Sequence, residues 1–129
     1  MKRPMILIAT ALALAACSGS AAGGSEFVLT EYDIDVPSAA FQAGTVALPI
    51  INAGEFGHTL VVTAEDGRAI AASETIAAEG AAELVLELAP GTYQVSCRIV
   101  VQLSDGTIVD HYQAGMVASF EVEDRAANN

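Results

Sequence analysis

Few side chains in this sequence can do metal or redox chemistry. His58 and His111 are its two histidines, Cys17 and Cys97 its two cysteines, and Met116 adds a thioether. Imidazole is a borderline ligand that suits several first-row metals, whereas thiolate and thioether are soft. Taken singly, each residue has a plainer reading. A lone Cys97 is more often a small buried apolar residue, and a lone Met116 is core filler. His58 could end a strand in water, and His111 beside Asp110 could sit in a solvated loop. Other chemistries lack their signatures. No G-x-S-x-G elbow supports a serine nucleophile, and no Walker, dinucleotide-binding or H-E-x-x-H pattern appears.

The N-terminus decides which thiol is available. Lys2 and Arg3 precede an apolar run from Met5 to Ala16, too short to span a bilayer as a helix. The run ends in Leu14-Ala15-Ala16-Cys17, which resembles a bacterial lipobox. That resemblance implies cleavage after residue 16 and diacylation of the Cys17 thiol. Two or more acyl chains anchor a protein stably where one does not. An ordinary secretory signal, leaving a free Cys17, is the alternative. Ser18 after the cysteine implies, by similarity to Gram-negative lipoproteins, the outer membrane facing the periplasm or the cell surface. Residues 18–25 (SGSAAGGS) read as a flexible tether. With Cys17 lipidated, Cys97 has no partner for an intramolecular disulfide, so it is either buried and inert or bound to something.

The chain has 129 residues and carries a formal charge of −11. Without Lys2 and Arg3, three arginines face sixteen acidic residues, or −13. Such a surface repels nucleic acid and anionic headgroups and attracts basic proteins and cations; the acidity could also serve solubility alone. Apolar residues make up 53% of the chain, enough for one core. There is no tryptophan, and Phe plus Tyr number seven, so the core falls to Val, Ile and Leu, which suit strands.

Alternation with turn signals places the elements. Residues 27–36 read as one strand, with Phe27, Leu29, Glu31, Ile34 and Val36 along it. Further strands are expected at 45–51, 59–64, 82–88, 93–103 and 116–123, while 69–78 could be a helical turn or an irregular connection. Leu84, Leu86 and Leu88 share a face. No segment shows a sustained helical stripe. About seven to eight short strands in a hundred residues suggest an all-β Greek-key sandwich. The domain is expected over 26–123, with 124–129 a frayed tail and no internal repeat.

Three segments carry a family resemblance. Asn52-Ala53-Gly54-Glu55-Phe56-Gly57-His58 is an Asn-x-Gly turn leading to a histidine that opens a strand. Pro90-Gly91-Thr92-Tyr93-Gln94-Val95-Ser96-Cys97 is a Pro-Gly turn, a Tyr-containing strand and a cysteine. His111-Tyr112-Gln113-Ala114-Gly115-Met116 is a His-x₄-Met closing segment. In this order they resemble the cupredoxins, over residues 26–123. The resemblance implies one type 1 copper ion held by His58, Cys97, His111 and Met116. It also implies that the backbone N–H of Thr59 donates to the Cys97 sulfur, with Asn52 supporting the ligand loop. A His₂Cys set with a weak axial Met is the blue-copper arrangement. Zinc at a Cys-His₂ set is disfavoured by the Gly115-Met116 ending.

One departure stands out. The family places its cysteine and second histidine a few residues apart, whereas thirteen lie between Cys97 and His111. The insert reads as a β-hairpin turning at Asp105-Gly106. A two-residue turn would pair Val100 with His111 and set Cys97 and His111 on opposite faces. A three-residue loop, Ser104-Asp105-Gly106 with Gly106 left-handed, would pair Ile99 with His111. Cys97 and His111 would then be diagonal neighbours about 7–8 Å apart. The x-Asp-Gly sequence favours the second.

The expected function is a lipid-anchored, non-enzymatic copper protein carrying single electrons between periplasmic or cell-surface redox partners; the alternatives are a copper storage or delivery protein and a metal-free interaction module on the same scaffold. By resemblance, electrons leave through His111, flanked by Tyr112, Gln113 and Ala114. The expected partner is a redox protein such as a c-type cytochrome or an oxidase. The protein is expected to be a monomer that touches the membrane only through its lipid.

Overall fold

The computed structural model describes residues 24–125. The leader, Cys17, most of the tether and residues 126–129 lie outside the described residues. Among the described residues, eleven strands follow in order: β1 Phe27–Thr30, β2 Asp33–Asp35, β3 Phe41–Gln42, β4 Gly44–Asn52, β5 Val61–Thr63, β6 Ala69–Ala72, β7 Ala81–Leu88, β8 Gly91–Ser96, β9 Val100–Gln102, β10 Ile108–Asp110 and β11 Val117–Glu123. They form a four-stranded sheet, β2-β1-β4-β7, a five-stranded sheet, β3-β11-β8-β5-β6, and the separate hairpin β9-β10. The chain crosses between the two sheets repeatedly, as a Greek-key sandwich does.

Alternation drives this layering. In β4, Val46, Leu48, Ile50 and Asn52 are buried while the residues between them are partly or fully exposed. In β11, Phe120 and Val122 point inward between Ser119, Glu121 and Glu123. Their inner faces meet Phe27, Leu29, Leu60, Val62 and Val95 in one core. Burying a side chain of this size contributes about 1.5–3 kcal/mol, so a one-residue slip of register would lose several such terms together.

Four expectations change. Residues 27–36 form two strands, not one, with Thr30 paired to Asp33 across a two-residue turn at Glu31-Tyr32. The reason is a phase slip: the inward residues are odd-numbered at Phe27 and Leu29 but even-numbered at Ile34. The short β3, which pairs in parallel with β11, is additional. Residues 69–78 hold β6 and an isolated bridge between His58 and Ile76, with no helical turn. The strand expected over 93–103 breaks after Ser96, because Cys97 leaves the sheet and the hairpin begins at Val100.

The sheet sets up the site. Val61 of β5, Ser96 of β8 and Val117 of β11 lie in one transverse row. His58 precedes this row, Cys97 follows it, and Met116 precedes it on the third strand. Three chain segments far apart in sequence therefore emerge at one end of the sandwich.

Candidate metal centre

Cys97 is held where β8 ends, its N–H donating to the Met116 carbonyl at 3.1 Å. The hairpin then returns the chain. Ile108 pairs with Gln102, Val109 with Val101 and Asp110 with Val100, and the His111 N–H donates to the Ile99 carbonyl at 3.0 Å. Leu103 and Thr107 close a three-residue loop, with Gly106 N–H donating back to the Leu103 carbonyl at 2.9 Å. Gly106 has φ +88°, the glycine bulge that the Asp-Gly sequence favours. The Asp105 carboxylate accepts from the Thr107 N–H at 2.9 Å. The loop thus returns His111 to the same side as Cys97. Met116 N–H then donates to the His111 carbonyl at 3.0 Å, closing the x₄ segment.

Three donor atoms converge. His58 Nδ1 and His111 Nδ1 are 3.2 Å apart, and Cys97 Sγ lies 3.9 Å from the first and 3.5 Å from the second. All three residues are buried, and they form a cluster able to hold a metal ion. An ion of zinc size with nitrogen at about 2.0 Å and sulfur at about 2.3 Å would, in a trigonal arrangement, hold its donors about 3.5 Å (N···N) and about 3.8 Å (N···S) apart. The observed triangle matches that spacing. Met116 is fully buried, and its backbone is hydrogen-bonded to Cys97 and His111. The Thr59 N–H donates to Cys97 Sγ at 3.4 Å, a contact to the sulfur of the kind that tunes a bound metal.

The loop carrying His58 is braced from inside by Asn52. Its Nδ2 donates to the carbonyls of Phe56 and Ile76 at 2.8 and 2.9 Å, and its Oδ1 accepts from the Gly54 N–H at 2.9 Å. A residue that the sequence reading left unassigned braces it from outside. Glu31, at the β1–β2 turn, accepts from the N–H groups of Phe56 and Glu55 at 3.0 and 3.1 Å. Its Oε1 lies 2.8 Å from His58 Nε2. The Phe56 N–H, with further help from Glu55 and His58, outweighs partial burial and lowers the Glu31 pKa to about 2. The signal for Glu31 was the phase slip itself: a carboxylate in line with the inward residues Phe27 and Leu29.

His111, expected by resemblance as the exit for electrons, is only 2% exposed. Tyr32 packs edge-on against its ring with centroids 5.2 Å apart. Burial, with His58 beside it, pushes the His111 pKa below the usual imidazole range, which favours the neutral ring a metal needs. His111 lies at the wall of an open cleft of about 480 Å³, whose apolar lining includes Phe56, Ile99, Val101 and Leu103.

No protein-family model and no curated protein matches the sequence. Among solved structures, the chain is similar to dithionite-reduced auracyanin, a cupredoxin from the photosynthetic bacterium Roseiflexus castenholzii. The TM-score is 0.54 at 17% identity, covering 78% of this chain and 98% of auracyanin. The fold is that of a cupredoxin. Within that fold, the His58-Cys97-His111 cluster fits a type 1 copper site. The cupredoxin scaffold here carries the β9–β10 hairpin between its cysteine and second histidine.

Proposed function

We propose that this protein is a lipid-anchored type 1 copper protein that carries single electrons between periplasmic or cell-surface redox partners and catalyses no bond change. The convergence of His58 Nδ1, His111 Nδ1 and Cys97 Sγ in a buried triangle carries this reading. Softness argues for copper: the thiolate suits Cu(I), and imidazole suits both oxidation states. Bound copper would supply the one-electron couple Cu(II)/Cu(I). Met116 would offer its thioether as a further, weak donor. The similarity to auracyanin, whose structure was obtained in a dithionite-reduced state, supports redox cycling.

The chain's own residues shape the site and its exit. The sandwich end fixes three donors before metal arrives, which limits rearrangement on electron transfer. His111 is the donor that lines the cleft, so electrons would leave through it. Phe56, Val101 and Leu103 leave exposed apolar surface beside that exit, and the Arg98 guanidinium sits 3.8 Å over the Tyr112 ring. This face, with Gln113 and Ala114, would dock a partner, and the −13 charge of the chain after the leader suits a basic one such as a c-type cytochrome.

The test is a visible spectrum of the domain from Ser25 onward, titrated with Cu(II), beside a Cys97→Ser variant. An intense charge-transfer band saturating at one copper per chain, and lost in the variant, is expected. A colourless protein, or equal weak spectra from both, would overturn the type 1 assignment.

A further inference from the structure

Glu31 occupies a built position. It stands at the tip of the β1–β2 turn, and its carboxylate reaches across to the loop of residues 54–58. Three donors meet it there: the N–H groups of Glu55 and Phe56, and His58 Nε2 at 2.8 Å. The room is made by Gly54, where an added Cβ would lie 2.3 Å from Glu31 Oε1. An ionised carboxylate only accepts hydrogen bonds. A neutral His58 must therefore carry its proton on Nε2, which leaves the Nδ1 lone pair facing Cys97 and His111.

We infer that Glu31 is a positioning residue for the metal centre: its carboxylate locks the His58 tautomer and places a fixed negative charge behind that ligand. The metal-binding part of this inference rests on the function proposed above. Carboxylate–histidine–metal relays raise ligand basicity, and their loss costs about 10–100-fold in metal affinity. The charge also acts on the redox couple. One thiolate and one carboxylate offset the two charges of Cu(II). On gain of an electron the same pair exceeds the single charge of Cu(I), so Glu31 favours the oxidised state and lowers the reduction potential.

The experiment compares wild type with Glu31→Gln, Glu31→Ala, Gly54→Ala and, as a control for general surface charge, Glu83→Gln. The first readout is the ¹⁵N chemical shifts of His58 in the metal-free protein. Wild type should show a protonated Nε2 and a bare Nδ1. Glu31→Ala should mix the two tautomers, and so should Gly54→Ala, whose methyl displaces the flexible carboxylate without altering it. The second readout is copper binding. Glu31→Ala should lose about 10–100-fold in Cu(II) affinity, and Glu31→Gln should raise the reduction potential above that of Glu83→Gln. A His58 tautomer unchanged in both Glu31→Ala and Gly54→Ala, or a Glu31→Gln potential equal to the control's, would overturn the inference. If wild type binds no copper, the proposed function fails, while the metal-free tautomer still decides whether Glu31 positions His58.

Discussion

At the scale of single residues, the centre depends on groups that never touch the donor triangle. Asn52 is fully buried and makes three hydrogen bonds to backbone. Asn52→Leu keeps the volume but leaves the buried Ile76 carbonyl without the Asn52 donor, at about 1–3 kcal/mol. Thermal unfolding should show that loss, and copper titration should show weaker binding, because the His58 loop loses its inner brace. Met116 tests the proposal of a further, weak donor. Met116→Leu should keep the thiolate band but raise the reduction potential, since removing a donor penalises Cu(II) more than Cu(I). Each tenfold change in that preference reads as about 59 mV by voltammetry. An unchanged potential would place Met116 in the core alone. His58, Cys97 and His111, which the structure brings together, were legible in the sequence because their order along the chain survives without any knowledge of contacts. Glu31 was not, because its partners at 55, 56 and 58 are brought to it by the pairing of β1 with β4.

At the scale of elements, strand alternation was readable where one face is buried along its length, as in β4 and β11. The β1–β2 turn was not, since the alternation of residues 27–36 was read across its phase slip as one strand. The hairpin was legible for a local reason: Asp105 and Gly106 specify a three-residue loop whatever surrounds them. Gly106 has φ +88° and no heavy atom within 4 Å of an added Cβ. Gly106→Ala should therefore cost only backbone strain, about 1–2 kcal/mol. Hydrogen exchange should show faster opening of residues 100–110, and the copper spectrum should broaden as His111 loses its fixed return. The hairpin stands apart from both sheets, with Val100 and Ile108 exposed. A two-stranded ribbon is marginal by itself, so its anchoring at Ile99–His111 matters for the site.

At the scale of the whole molecule, charge governs encounter. With three arginines against sixteen acidic residues beyond Arg3, the copper-loaded protein should select cationic redox reagents. At about 0.01 M salt, a cationic oxidant should react at least roughly tenfold faster than an anionic one of similar potential. Near 1 M salt, where the screening length is about 3 Å, stopped-flow rates should converge. Equal rates at low salt would show that the apolar cleft, and not the acidic surface, controls approach.

By itself, the sequence determined the all-β class, the candidate donor residues and their order, the glycine-bulged loop and the acidic surface, because each of these is local or additive. Only the tertiary structure decided that His58, Cys97 and His111 share one triangle, that Tyr32 covers His111, and that Glu31 stands behind His58. Those facts depend on which strands neighbour one another, and strand neighbours are set by burial of the whole core.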